Sequence, residues 1–270
     1  MENISASLRN LNMPEHLKKR MKEFIESQQM KKSSLLEERV SILEKDREYR
    51  CSKCRDMTYI IDDGMAIPCE CRAVREAEDI LKHSGISEEF RNKTFDNFNY
   101  TYDTHTINAY RVATKYVKDF DSIESSSNNS IMFMGQVGSG KTHLSLAICN
   151  ELMDRGVGVL YMGYRDVIVR VKQNIMDQVY YHKIMNRYKN ARVLLIDDLF
   201  KGSVSSSDVN IMFELVNHRY FNNLPVIVSS EKGFEELIEI DEAIGSRLIE
   251  MSKGYGVEIK GKRLNYRIYG

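Results

Sequence analysis

The apolar positions of this chain gather into short unbroken runs separated by longer amphipathic stretches. Ile131-Met132-Phe133-Met134, Val157 to Met162, Arg192-Val193-Leu194-Leu195-Ile196-Asp197-Asp198 and Leu224-Pro225-Val226-Ile227-Val228-Ser229-Ser230-Glu231 contain such runs, each too short for a helix. They predict buried strands, two of them with strongly polar ends. Between them the period changes. Leu144, Leu146, Ala147, Ile148, Leu152 and Met153 recur at roughly helical spacing, and Arg155-Gly156 stops that helix. Residues 164–188 read as a helix broken at most once, and residues 244–251 as another. Short strands are expected at Val257-Glu258-Ile259 and from Asn265 to Ile268. Strands alternating with helices predict an α/β domain built on a central parallel sheet.

The first part of the chain is patterned differently. Leu17, Met21, Phe24 and Ile25 fall on one helical face among lysines and arginines, and Leu36, Val40 and Leu43 repeat the pattern. Either two small helices pack on each other, or they offer a face to a partner. Residues 72–83 predict a helix that breaks at His83-Ser84-Gly85-Ile86. Phe90, Phe95 and Phe98 punctuate a polar connector, where they pack it on the core or line a nucleotide base; packing is the better expectation. Residues 121–130 are rich in Ser, Asn and Asp and predict a solvated loop. The division expected is residues 1–85, helical and cysteine-bearing, 86–128, a connector and the start of the next domain, and 129–270, the α/β core.

The turn after the first strand carries the chemistry. Gly135-Gln136-Val137-Gly138-Ser139-Gly140-Lys141-Thr142 fits the phosphate-loop pattern Gly-x-x-x-x-Gly-Lys-Thr. Its glycines let backbone N–H groups turn inward on phosphate oxygens. Lys141 suits the β- and γ-phosphates of ATP, and Thr142 suits Mg²⁺. The helix that begins there adds the positive end of its dipole. An ordinary glycine turn would need neither the Lys-Thr pair nor this strand and helix. Asp197 then ends a strand as the metal-side acid of such a site, and Asp198 is placed to orient or deprotonate water. If the strand ending Ser229-Ser230-Glu231 lies between the two motif strands, one of those three residues faces the γ-phosphate. Arg247 either pairs locally or reaches a neighbour's phosphate.

Cys51-Ser52-Lys53-Cys54 and Cys69-Glu70-Cys71 flank a predicted hairpin that turns at Asp62-Asp63-Gly64. Two close pairs of thiols suit a tetrahedral Zn²⁺ site, against buried free cysteines or a redox pair. Cys149 reads as a small core residue. Residues 164–188 carry Arg165, Arg170, Lys172, Lys183 and Arg187, with Lys189 beyond, interleaved with Tyr180, Tyr181 and Tyr188. That mix suits single-stranded nucleic acid or a plain solvated helix. Composition narrows the rest. The 270 residues are 42% hydrophobic with a formal net charge of zero, so a core is available and no global field draws nucleic acid. No run is long enough to span a bilayer, and the N-terminus lacks a secretory pattern, so a cytoplasmic protein is expected.

Together these features resemble the DnaC/DnaI-type bacterial and phage helicase loaders of the AAA+ class, in the IstB-like superfamily. The resemblance rests on the cysteine pairs, Phe95-Asp96-Asn97-Phe98, Gly140-Lys141-Thr142-His143-Leu144, Leu195-Ile196-Asp197-Asp198, Gly245-Ser246-Arg247 and Asn265-Tyr266-Arg267. It implies an AAA+ P-loop ATPase domain preceded by a small helical zinc-binding domain. The partners it implies are a hexameric DnaB-type replicative helicase, single-stranded DNA and other copies of the chain, joined through the ATP site. Gly135, Gly138, Ser139, Gly140, Lys141, Thr142 and His143 would bind nucleotide, and Thr142 and Asp197 would hold Mg²⁺. Cys51, Cys54, Cys69 and Cys71 would hold zinc, and Lys141, Asp197, Asp198 and Arg247, the last from a neighbour, would serve catalysis. Asp198 stands where such proteins often carry Glu, which implies slow turnover. The rival within the superfamily is an IstB-like transposition helper acting on duplex DNA with a transposase. A metabolite kinase would want an arginine-rich lid, and a bare interaction module would not need Lys141, Thr142 and Asp197.

Overall fold

The structure, a computed structural model, describes residues 49–62, 64–83, 91–99, 103–261 and 264–269, together with Lys19, Arg20 and Glu23. The apolar positions Leu17, Met21, Phe24, Ile25, Leu36, Val40, Leu43 and Phe90 lie outside the described residues. The chain falls into two compact units, Met1–Met57 and Thr58–Gly270. In the first, Asp56 accepts from the backbone N–H of Cys51 at 3.0 Å and of Arg50 at 3.3 Å. The Met57 N–H bonds the Cys54 carbonyl at 3.0 Å, closing a tight turn around the first cysteine pair.

The second unit opens with the antiparallel hairpin β1 (Tyr59–Asp62) and β2 (Met65–Pro68), followed by α1 (Cys71–His83). Then come α2 (Thr104–Ile123), β3 (Ile131–Gly135), α3 (Lys141–Asp154), β4 (Val159–Gly163), α4 (Tyr164–Gln173) and α5 (Gln178–Lys189). The chain continues with β5 (Val193–Asp197), α6 (Ser206–Phe221), β6 (Val226–Ser230), α7 (Phe234–Ile240), α8 (Glu242–Met251), β7 (Gly256–Ile259) and α9 (Tyr266–Tyr269). Strands β3 to β7 form one sheet in the order β4-β5-β6-β3-β7, and all its pairings are parallel. Their C-terminal ends therefore share one edge, the edge where open α/β sheets bind ligands.

Alternation within each strand feeds two cores. Ile131, Phe133, Val193, Leu195 and Ile227 pack on one face with buried residues of α2 and α3. Met132, Met134, Leu194, Ile196 and Val228 pack on the other with α4, α5, α6 and α8. Both faces are covered, which is why the strands read as continuous apolar runs. No helix among the described residues is long and apolar enough to cross a membrane.

The helix expected over residues 164–188 is broken once, between α4 and α5, where Asp177 accepts from Tyr180 N–H to cap α5. Two other local expectations change. The expected loop over 121–130 is part helix, and its last two residues are buried. Asn129 donates to the carbonyls of Glu124 and Asn223, and Ser130 Oγ accepts from Val226 N–H at 2.9 Å. Polar residues there satisfy backbone rather than water. The strand expected at 265–268 is instead the short helix α9, because the Asn265 carbonyl accepts from Ile268 and Tyr269 N–H.

Arg219, on α6, is fully buried. Its Nη1 donates to the carbonyls of Tyr188, Lys189 and Ala191, and its Nη2 to those of Arg192 and Pro225. One guanidinium thus ties the end of α5 to the segments entering β5 and β6. Burial works against its charge and pulls its pKa down, but five carbonyl dipoles hold it in place. Arg219→Met strands those acceptors and should lower the unfolding free energy by about 3–5 kcal/mol in urea titration. Arg192→Ala, which removes an exposed pair with Glu124, should cost at most about 1 kcal/mol.

Candidate functional site

The loop from β3 into α3 sits at the shared strand edge. Gly135, Gly138 and Gly140 have φ of 116°, 74° and 88°, a region that strains any side chain. Space excludes one too: a Cβ on Gly138 would lie 2.1 Å from Asn265 Oδ1, and one on Gly140 2.6 Å from Phe98 Cε2. Lys141 Nζ and Ser139 Oγ both donate to the Gln136 carbonyl, at 2.6 and 2.8 Å. Burial pulls the Lys141 ammonium below the usual lysine range, while the charges of Asp198, Glu231 and Asp197 pull the other way.

Asp197 closes β5 and is buried. Its carboxylate accepts from three hydroxyls: Thr142 at 2.9 Å, Tyr161 at 3.1 Å, and Ser229 at 2.5 Å. Burial pushes the carboxyl above the ordinary aspartate range, and the hydroxyls of Ser229, Thr142 and Tyr161 work against that shift. Hard oxygen donors from Thr142 and Asp197 in contact suit Mg²⁺. Asp198 has a left-handed backbone (φ 57°), and its N–H donates to Ser229 Oγ at 2.9 Å.

Strand β6 lies between β3 and β5, so its polar tip reaches this edge. Ser229 serves the two acids, Ser230 Oγ donates to the Leu199 carbonyl, and Glu231 pairs with Lys201 at 3.0 Å. Sequence reasoning did not single out Tyr161 or Lys201. Tyr161 stands two residues before Gly163, which registers with Asp197 across β4 and β5. Given the strand order, that shared face would have revealed it.

His143, expected with the nucleotide residues, is turned to the connector. Its Nε2 lies 2.9 Å from the Thr94 carbonyl and 3.0 Å from Asn97 Oδ1. The reason is helical: one residue past Thr142 is a rotation of about 100°. Burial lowers its pKa. Phe98 is buried, edge-on to His143 and stacked on Tyr110, and Phe95 meets the same tyrosine edge-on. The aromatic connector therefore packs on α2 and α3. Arg247 donates from Nη1 to the Ala243 carbonyl at 2.8 Å, and its guanidinium lies over Phe213 and Tyr220. Among the described residues these contacts are with α6 and its own helix, rather than with Lys141 or Asp197.

The basic stretch divides. Lys172 pairs with Asp208, Lys189 with Glu214, Tyr181 donates to Glu214, and Tyr188 is buried. Arg165, Arg170, Lys183 and Arg187 are exposed.

Cys51 and Cys54 belong to the first unit and Cys69 and Cys71 to the second, and none of the four is in a disulfide. Thiols in two such close pairs are donors of the kind that tetrahedral zinc takes, so the ligand set suits the ion. Every residue of β1 and β2 is exposed. A hairpin without a buried face needs another source of stability, and a metal would supply it. Cys149 is fully buried in the core, which pushes its thiol pKa up.

A phosphate loop, a buried strand-end acid and an intervening strand in this order define a P-loop ATPase fold of the AAA+ class. Comparison with known proteins agrees. The family described as IstB-like ATP binding protein matches residues 28–263, and the chain belongs to it. The phage-like element PBSX protein XkdC of Bacillus subtilis (strain 168) is 37% identical over 235 residues, 82% of this chain and 87% of that protein. The replicative helicase loader DnaC of Escherichia coli (strain K12) is 27% identical over 186 residues, 68% of this chain and 72% of that protein. The crystal structure of DnaI superposes with a TM-score of 0.54 at 23% identity, over 67% of this chain and 94% of that one, which shows the shared fold.

Gly140→Ala combines a left-handed backbone with a clash against the anchored Phe98 ring. It should destabilise the protein by about 1–3 kcal/mol, read as a lower midpoint in thermal unfolding.

Proposed function

We propose that this protein is an ATP-dependent loader of a hexameric, DnaB-type replicative helicase. It binds the helicase through the helical, cysteine-bearing residues 1–85. Residues 86–128 connect that part to an ATPase core at 129–270, which helps place the helicase on single-stranded DNA at the start of replication. Hydrolysis of ATP then releases the loader. The observation that carries this reading is the meeting of Lys141, Thr142 and Asp197 at one strand edge, in a chain related over most of its length to a replicative helicase loader.

In this reading the loop N–H groups and Lys141 bind the phosphates of ATP, and Thr142 and Asp197 hold Mg²⁺. The ion supplies charge neutralisation on the phosphate oxygens. Asp198 orients the attacking water and accepts its proton, one methylene shorter than a glutamate would, so turnover is slow. Arg247 leaves its aromatic seat to meet a neighbour's γ-phosphate, which couples hydrolysis to self-association. The exposed Arg165, Arg170, Lys183 and Arg187 follow the DNA backbone. Cys51, Cys54, Cys69 and Cys71 hold Zn²⁺.

The family description favours a second reading, an IstB-like transposition helper acting on duplex DNA with a transposase. Size-exclusion chromatography with light scattering separates the two. Mixed with the helicase of its own source and ATP, the protein should form a stable complex. No complex under any nucleotide condition, with turnover stimulated by duplex DNA, would favour the helper.

Lys141→Ala should lower ATP turnover about a hundredfold or more, as expected when the phosphate-binding lysine is lost. Metal analysis should find roughly one zinc per chain, lost in Cys69→Ser. A metal-free wild-type protein of unchanged stability would remove zinc from the proposal.

A further inference from the structure

The loop leaving β5 folds back over the acids. Asp198 and Phe200 are both left-handed, at φ 57°, and Gly202 follows at 84°. A phenylalanine rarely adopts that backbone, and several contacts impose it here. The Phe200 ring is fully buried, edge-on to Tyr164 at 5.5 Å. Leu199 N–H donates to the Ser229 carbonyl at 2.8 Å, and the Leu199 carbonyl accepts from Ser230 Oγ at 2.7 Å. The loop so held sets the Lys201 ammonium 2.7 Å from Asp198 Oδ2 and 3.0 Å from Glu231 Oε1.

Lys201 acts electrostatically on Lys141, together with Asp198, Glu231 and Asp197. The two lysines and three carboxylates therefore form one charge cluster around the phosphate loop. Strand β6 itself carries no cation, and Lys232 just beyond it pairs with Glu236 at 3.7 Å. Ser229 Oγ donates to Asp197 and Ser230 Oγ to Leu199, so both hydroxyl protons are already engaged. An ammonium carries three N–H donors on a flexible stem and binds phosphate as a point charge. Lys201 is half exposed and held by exchangeable ion pairs, so it can turn.

We propose that Lys201 is the residue that recognises the terminal phosphate of ATP. This rests on the ATPase reading above and deepens it. Without that phosphate, the ammonium bridges Asp198 and Glu231 and keeps both acids occupied. The γ-phosphate competes for the same ammonium, and as Lys201 turns to it, Asp198 is released. Asp198 then takes the proton of the water whose oxygen bonds the γ-phosphorus as the bond to ADP breaks. ADP lacks the competing anion and leaves the bridge closed. The half-exposed lysine thus sets both the preference for ATP and the moment at which the acid becomes available.

Isothermal titration calorimetry on the full chain, with Mg²⁺ and either ADP or the β,γ-imido analogue of ATP, tests this. Lys201→Met should weaken the analogue about tenfold or more and ADP by less than about twofold, with Lys201→Arg restoring most of the preference. Glu231→Gln, which removes one anchor, should tighten the analogue and leave ADP unchanged. If Lys201→Met leaves both affinities unchanged, or lowers both together, Lys201 does not read the γ-phosphate. Wild-type protein that binds neither nucleotide would instead remove the ATPase reading, and this inference with it.

Discussion

The carboxylate of Asp197 is the point on which the nucleotide edge depends. Hydroxyls from β4, β6 and the start of α3 converge on it, so Tyr161, Ser229 and Thr142 are all oriented by one buried acid. A buried carboxylate is costly unless hydrogen-bonded, and three donors offset that cost. The arrangement fixes the phosphate-loop helix relative to three strands. A metal entering there would meet a carboxylate already aimed, which is what a preorganised site requires.

Around that point the loop is held from two further sides. Phe98 fills the space beside Gly140, and His143 ties the connector to the loop helix. From the C-terminal side, Tyr266 N–H donates to the Gly138 carbonyl and Asn265 fills the space a side chain would need. The connector and the C-terminal segment are distant in sequence yet grip the same loop. Both therefore contact the phosphate-binding backbone or its helix directly.

The charged groups divide between structural and chemical duty according to burial. Arg219 is fully buried and spent on backbone carbonyls, so it organises the sheet. Lys172 and Lys189 cross from α4 and α5 to α6, so two of the basic residues that suggested nucleic-acid contact also serve helix packing. Lys201 is half exposed and paired with the carboxylates of Asp198 and Glu231. Arg247 occupies the middle ground, seated on aromatic rings that a better partner could replace.

Much of this was legible in the sequence because it is local. The phosphate loop, its flanking strand and helix, the strand ending in Asp197-Asp198 and the hairpin between cysteine pairs are set by contiguous residues, so pattern alone located them. Loop glycines announce themselves because few other residues tolerate their backbone. What the sequence left open was decided by register and packing. The place of β6 between β3 and β5 assigned separate partners to Ser229, Ser230 and Glu231. The turn of a helix took His143 from the phosphates to the connector. Lys201 was invisible as a site residue, because its position depends on a left-handed loop held by a buried ring and by β6. Asn129 and Ser130 looked like loop residues, since composition cannot tell a polar group facing water from one satisfying buried backbone. Residue type and spacing determined which chemistry this chain holds; the parallel sheet, by bringing distant strand ends to one edge, decided which residues meet there.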